Sequence, residues 1–313
     1  MLAVFTLHSS LRSLGQSRDI FLFEDDIAGL LCLVDTKKQH FTNDLIPLAQ
    51  NIWLNPVLRD FKSISEAREI LLGTQRNWSM FPGREYGRSK LIQKQLPFVS
   101  NKPISFPEKP KNSPLGSWTL LDKNKILFSS ACSSRVSHGI YNFIEDKNGP
   151  PSRAYLKLWE FFTKEGVIPK SDSSCIDLGA SPGGWSWVLS GLSKRVHAVD
   201  KSPIEKSLGL NRKIRFHQAD VLKIKRLDDI DRSINWLFCD AAIHPEKLIP
   251  HLQKLVINHP QLSFVCTIKF AGLNRYHWLK TALNTPYSSI CHLSHNKHEC
   301  TWYRIMPNSF TRI

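Results

Sequence analysis

The second half of the chain has a rhythm that restricts its fold more than any other feature. Between residues 151 and 313, short apolar runs alternate with stretches of helical periodicity. The runs at 174–178, 195–199, 214–218, 236–239 and 263–269 read as strands, and 184–192, 245–256 and 276–283 read as helices. Two final runs, 288–293 and 300–306, read as an antiparallel pair. Strands that alternate with helices form a mostly parallel sheet covered by helices on both faces, so an α/β domain with an antiparallel last strand is expected.

The first half follows a different pattern. Strand-like runs at 2–7, 20–23 and 29–34 precede a helical stretch at 64–72, the mark of a small α+β unit. A hairpin is expected from 117–121, a turn at Asp122-Lys123-Asn124, and 125–129, with a loop over 130–151. No internal repeat is visible. At 313 residues the chain is long enough for two domains, assigned here as 1–147 and 148–313.

Charge narrows the choice of partner. The net charge is +15, with 19 Lys/Arg against 14 Asp/Glu in residues 1–150 and 23 against 13 in 151–313. A basic excess of this size favours a polyanion, because each neutralised phosphate releases counterions. The stretch 76–111 holds eight Lys/Arg, two Glu and five prolines, interleaved with Trp78, Phe81, Tyr86, Phe98 and Phe106. Two readings stay open for it: a nucleic-acid track of phosphate-binding cations and stacking rings, or a proline-rich linker packed on the domain. Lys206, Arg212, Lys213, Arg215, Lys223, Lys225 and Arg226 form a second basic cluster, either a solvated face or an RNA track.

Seven cysteines, an odd number without a C-x-x-C, fit reduced thiols rather than a disulfide scaffold. The apolar run 27–34 is far short of the ~20 residues of a membrane span. The opening MLAVFTLHSS has no basic segment ahead of its apolar stretch, so neither a signal peptide nor a membrane partner is expected, and a cytoplasmic location is.

In an open α/β sheet, ligands bind beyond the carboxyl ends of the strands where the strand order reverses. The loop that suits this position is Asp177-Leu-Gly-Ala-Ser-Pro-Gly-Gly-Trp185, set between a strand and a helix. Gly179 permits a sharp turn, and Gly183 and Gly184 let backbone approach a ligand. Ser181, Pro182 and Trp185 complete the candidate cofactor loop. The spacing is not the G-x-G-x-x-G that seats a dinucleotide pyrophosphate. An acid at the strand end, Asp177, suits the ammonium of an amino-acid moiety instead. Asp200 lies 23 residues further on, where a carboxylate accepts ribose hydroxyls. Asp220, after the third strand, is in reach of an adenine amine. Three acids ending successive strands, together with the Asp-Leu-Gly opening, point to S-adenosylmethionine.

The same loop resembles the first motif of the FtsJ-like RNA 2′-O-ribose methyltransferases, usually DLGAxPGGW. Within that family the resemblance is to the RlmM-type large-subunit ribosomal RNA cytidine 2′-O-methyltransferases, and it extends in order and spacing over residues 151–306. It implies a Rossmann-like methyltransferase sheet, an RNA substrate (ribosomal RNA above all) and a Lys–Asp–Lys–Glu tetrad. Lys157 falls in Pro151-Ser-Arg-Ala-Tyr-Leu-Lys157-Leu, similar to the family's SR(A/S)xxKL helix. Asp240 ends Trp236-Leu-Phe-Cys-Asp240, Lys269 ends the fifth strand in Thr267-Ile-Lys269-Phe, and Glu299 opens the last in His298-Glu299-Cys-Thr. RlmM-type proteins carry a longer N-terminal region with a THUMP RNA-binding domain, which 1–147 does not match residue by residue. That N-terminal unit is expected to recognise the substrate.

The implied chemistry suits these residue types. A ribose hydroxyl must lose its proton as it attacks a sulfonium methyl. An amine accepts that proton when burial and a second cation favour its neutral form. Lys269 beside Lys157 is then the candidate base. Asp240 orients Lys269 and also lies near the methyl-donor site, while Glu299 holds Lys157 or the ribose. Coupled lysines titrate as a set, which leaves open which of them deprotonates first. No metal is required, because the leaving group is already cationic. The run Cys291-His-Leu-Ser-His295-Asn-Lys-His298-Glu-Cys300 imitates a zinc cluster, but its spacing does not fit one, and a polar hairpin is expected, with His295 and His298 in reach of RNA. Two other functions compete: methylation of a small molecule or protein, and a non-catalytic RNA-binding module, whose mark would be a broken tetrad.

Overall fold

A computed structural model of the chain describes residues 2–11, 21–25, 29–35, 46–110, 113–269 and 277–313. Ile20, Ile27, Lys111, Phe270 and Tyr276, which fall in stretches singled out above, lie outside them. Two compact units result: Met1–Ile104 with Pro110–Asn142, and Ser105–Lys109 with Phe143–Ile313.

The first unit is α+β. Its elements in chain order are β1 (Leu2–Leu7), β2 (Phe21–Asp25), β3 (Gly29–Asp35), β4 (Asn51–Leu54), β5 (Val57–Asp60), α1 (Ile64–Leu72), β6 (Trp78–Met80), α2 (Tyr86–Gln93), β7 (Gly116–Asp122), β8 (Lys125–Ser129) and β9 (Ala131–Cys132). One sheet runs β2-β3-β1-β4-β9 and is antiparallel throughout. The other runs β5-β8-β7-β6, with β6 a parallel edge strand. A reciprocal cap starts α1: Ser63 Oγ accepts from Glu66 N at 3.1 Å, and Glu66 accepts from Lys62 N at 2.7 Å. Leu71 and Ile92 from the two helices pack with Trp78, Trp118, Ile126 and Phe128 in one apolar cluster.

The proline-rich stretch therefore is not a bare linker. Helix α2 fits in the proline-free window between Pro82 and Pro97, and the edge position of β6 spares it a full set of ladder bonds. Trp78 and Phe81 are buried core residues, unavailable for stacking on bases. Phe106 lies flat on Trp159, with centroids 5.0 Å apart and planes 5° apart. Tyr86 and Phe98 are the aromatic rings of the stretch that remain solvent-exposed.

Those contacts also explain the division of the chain. Phe106 and Phe143, whose ring meets Trp159 edge-on at 5.8 Å, tie 105–109 and the residues after 142 to the second unit. The boundary thus falls at Asn142, five residues before the expected one, and a short segment of the first half belongs with the second.

The second unit is α/β: α3 (Tyr155–Glu165), β10 (Val167–Pro169), β11 (Ser174–Leu178), α4 (Gly184–Leu192), β12 (Arg195–Asp200), α5 (Lys206–Gly209), β13 (Ile214–Gln218), β14 (Ile234–Cys239), α6 (Pro245–Asn258), β15 (Ser263–Lys269), α7 (His277–Leu283), β16 (Ser289–Cys291), β17 (Glu299–Arg304) and β18 (Phe310–Arg312). Seven strands pair in the order β13-β12-β11-β14-β15-β17-β16. The first five are parallel, and β17 is antiparallel to both its neighbours. Order reverses at β11, so the right-handed crossovers through α4 and α6 run in opposite directions and cover opposite faces. The final strands do pair as expected, but β17 inserts between β15 and β16, which sets Glu299 opposite Lys269. At the other edge, buried His197 bonds to His217 of β13 at 3.0 Å and to Asp231 at 3.1 Å, fastening the strand that leads to Asp220. Among the described residues, no helix is long and apolar enough to cross a membrane.

Candidate active site

The loop 177–185 leaves β11 at the reversal of strand order. Gly179 and Ala180 donate to Val199 O at 2.8 and 3.1 Å, which folds the loop back over β12. Gly179 sits at φ +80°, and a Cβ there would lie 2.6 Å from Ala241 Cα. Gly183 has φ +121°, and a Cβ on Gly184 would collide with Ser152 Oγ. The Ser181–Pro182 peptide is cis. These glycines keep a cradle open above β11. Beside it lies a cavity of about 620 Å³, within the ~300–1,000 Å³ usual for a bound small molecule. From the β12–β13 side come Asp200 and Asp220, and from the β14–β15 side come Asp240 and Lys269. Gly179, Ser181, Pro182, Gly184 and Trp185 line it as well.

The three strand-end acids have different surroundings. Asp200 accepts from Ser181 N at 3.0 Å with one oxygen and from Ser202 N at 2.9 Å with the other, so its carboxylate is fixed facing the cavity. Asp220 accepts from Leu222 N at 3.0 Å and pairs with Lys201 Nζ at 3.0 Å. These hydrogen bonds hold its carboxyl below the usual range. Asp177, expected at an ammonium, is absent from the cavity wall. It is 1% exposed and accepts from Ser186 Oγ of α4 at 2.6 Å. Burial pushes its carboxyl up to about 7 despite that bond. Its strand places it one residue before the turn, beneath the loop rather than in front of it. Gly183, likewise absent from the wall, packs toward Leu208.

The four residues matched to the tetrad come together at the ends of β14, β15 and β17 and on α3. Lys157 Nζ lies 3.2 and 3.1 Å from the two Asp240 oxygens and 2.5 Å from Glu299 Oε1. Lys269 Nζ donates to the Asp240 carbonyl at 2.7 Å and lies 3.3 Å from Asp240 Oδ1. Burial works against the Lys157 ammonium, but the charges and hydrogen bonds of Asp240 and Glu299 outweigh it and hold the group above the usual lysine range. The lysine side chains differ in access: Lys157 is 14% exposed, whereas Lys269 is 34% exposed and lines the cavity.

Several participants had escaped sequence reasoning. Thr267 donates to Asp240 Oδ1 at 2.6 Å. It stands two residues before Lys269 on one strand, and the period of two puts both on one face, a signal the sequence does contain. Ser186, Ser152 and Lys201 had no comparable mark. Glu160, three residues after Lys157 on α3, is buried and accepts from Ser294 N, Ser294 Oγ, His295 N and His295 Nδ1 at 2.6–3.0 Å. An acid on the apolar side of that helix was its visible clue. The histidines of the zinc-like run are thereby occupied: His295 by Glu160 and His292 by Lys297 O at 3.2 Å. His298 is exposed, and Cys291 and Cys300 are buried in the sheet.

Residues 150–293 match the family model described as FtsJ-like methyltransferase. The chain is 31% identical over 170 residues to Ribosomal RNA large subunit methyltransferase M of Proteus mirabilis (strain HI4320), covering 48% of this chain and 45% of that protein. To the protein of the same name from Shewanella loihica (strain ATCC BAA-1088 / PV-4) it is 30% identical over 171 residues, covering 48% and 46%. A third such protein, from Shewanella sp. (strain W3-18-1), aligns at 23% identity over 320 residues, covering 92% of this chain and 86% of that protein. The chain thus spans about half the length of the first two relatives, and most of the third at lower identity.

Proposed function

From the match of residues 150–293 to the FtsJ-like methyltransferase family model, we propose that this protein transfers the methyl group of S-adenosylmethionine to a ribose 2′-hydroxyl of RNA, with ribosomal RNA as the substrate class. The observation that carries the reading is the convergence of Lys157, Asp240, Lys269 and Glu299 beside the glycine-lined cavity. Two amines and two carboxylates in hydrogen-bond contact suit removal of a proton from a hydroxyl. They offer nothing specific to a planar base amine.

When bound, S-adenosylmethionine supplies an electrophilic methyl group on a positively charged sulfur. The residues present fit it. Asp200, already oriented by two backbone N–H groups, has lone pairs left for vicinal ribose hydroxyls. Asp220 faces the cavity from the next strand and suits an adenine amine. Asp177 acts beneath the loop, through Ser186, rather than on the ligand.

Of the two lysines, Lys269 is the better base. It lines the cavity and donates to a neutral carbonyl as well as to Asp240. Lys157, clasped by two carboxylates, remains an ammonium and keeps Asp240 and Glu299 in place. Lys269 Nζ takes the proton of the attacking hydroxyl, and its contacts with Asp240 hold the resulting ammonium. Asp240, near the donor site, favours the cationic methyl carbon electrostatically. The net charge of +15 fits a polyanionic substrate.

The test is methyl transfer from labelled cofactor to ribosomal RNA of the source organism lacking this gene, with nucleoside analysis of the product. The expected label is in 2′-O-methylnucleosides; label confined to bases or protein would overturn the reading. Lys269→Ala should lower turnover by roughly a thousandfold and leave cofactor affinity, measured by calorimetry, near wild type.

A further inference from the structure

Asp240 serves more neighbours than the four-residue set accounts for. Its Oδ1 lies 3.2 Å from Lys157 Nζ and 3.3 Å from Lys269 Nζ, and it also accepts the Thr267 hydroxyl at 2.6 Å. Thr267 is fully buried in β15 and is absent from the cavity wall, so its hydroxyl is committed to Asp240 and does not reach a substrate. Within the buried run 264–268 of this strand Thr267 is the residue with a side-chain hydroxyl, and it donates that hydroxyl to the carboxylate at the centre of the site.

We propose that Thr267 is a positioning residue for the transfer reaction: its hydroxyl locks the Asp240 carboxylate between the two lysines and takes up one of its lone pairs. The inference rests on the ribose-methyltransfer reading above. The effect of Thr267 is exerted through Asp240. A hydroxyl donated to Oδ1 fixes the carboxylate plane and offsets part of its negative charge. Without it, Oδ1 turns toward the ammonium groups and attracts their protons more strongly. Lys269 is faced by the Asp240 carboxylate and carbonyl from β14 and by Glu299 in register on β17, with Lys157 of α3 on the far side of Asp240. A stronger hold by Asp240 therefore opposes the part of Lys269 as proton acceptor.

The experiment compares wild type, Thr267→Val and Thr267→Ser as the full chain, by single-turnover methyl transfer across the neutral to alkaline range and by calorimetric cofactor binding. Valine keeps the shape and removes the hydroxyl; serine keeps the hydroxyl. Thr267→Val is expected to slow transfer roughly tenfold or more and to move the rising limb of the pH–rate profile to higher pH, with cofactor affinity unchanged. Thr267→Ser is expected to restore both rate and profile. A Val variant with the wild-type rate and profile would overturn the proposal. So would a loss equal at every pH that serine fails to repair. Should valine compromise folding, Thr267→Ala, which likewise has no donor, gives the same comparison. A wild type that methylates no ribose overturns the parent reading and this one with it, whereas an active wild type with an unmoved Thr267→Val profile overturns this one alone.

Discussion

Asp177 is sealed under the cofactor loop, held by Ser186 and pushed up to about 7 chiefly by burial, with the charges of Asp240 and Asp200 acting in the same direction. The unfolded chain ionises near the ordinary 3.8, so between that value and about 7 the folded state retains a proton that the unfolded state has lost. Its contribution to stability is present at low pH and disappears as pH rises through that interval. Asp177→Asn should remove this slope. Urea midpoints of wild type and variant, compared at about pH 5 and about pH 7.5, should show the variant gaining relative to wild type as pH rises. An unchanged difference would count against the buried carboxyl. Lys157 has the same sign at much higher pH. Raised above 10.5 by its two carboxylates, it contributes fully below that value and loses its contribution only in strong alkali. The sequence showed that Asp177, Asp200 and Asp220 end successive strands. It could not show that one of them points beneath the loop, because that depends on how α4 presents Ser186 to β11.

Helix α3 carries two functional groups on one face. Lys157 reaches Asp240 and Glu299, while Glu160 grips the turn before β17 through four hydrogen bonds. That turn delivers Glu299 to the site, so Glu160 joins the helix to the last strand. Glu160→Ala removes the buried acceptor of four part-buried hydrogen bonds and should destabilise the protein by about 3 kcal/mol, measured as a shift of the urea unfolding midpoint. Glu160→Gln, which still accepts hydrogen bonds, should lose less. The helix at Gly184–Leu192 and the strands at Ser174–Leu178 and Ile214–Gln218 were readable in the sequence to the residue, because local periodicity and bounding turn residues decide such elements. The place of β17 between β15 and β16 was not readable. Local pattern says that a strand exists, whereas pairing partners are chosen by contacts between distant segments.

Over the whole molecule, the basic excess is the property that bears most directly on a polyanionic substrate. Under the proposed function, RNA affinity should fall by roughly a thousandfold between about 50 and 200 mM salt. Filter binding over that range checks it, and a flat salt response would argue that the positive charge lies away from the bound phosphates. The aromatic and basic stretch 76–111 divides at this scale: Trp78 and Phe81 build the first unit's core, while Phe106 anchors to the second unit. Composition alone could not separate those fates, because a ring suited to stacking on a base is equally suited to a core.

By itself the sequence determined the parallel α/β rhythm, the glycine loop at a strand end, and the order of Lys157, Asp240, Lys269 and Glu299. Each of these is a local pattern of spacing and residue type. Tertiary structure alone decided that Asp177 is buried, that Thr267 shares Asp240 with both lysines, and that Glu160 sets the approach to Glu299. Those outcomes depend on side chains from elements far apart in the chain meeting within hydrogen-bond distance, and only the assembled sheet brings them there.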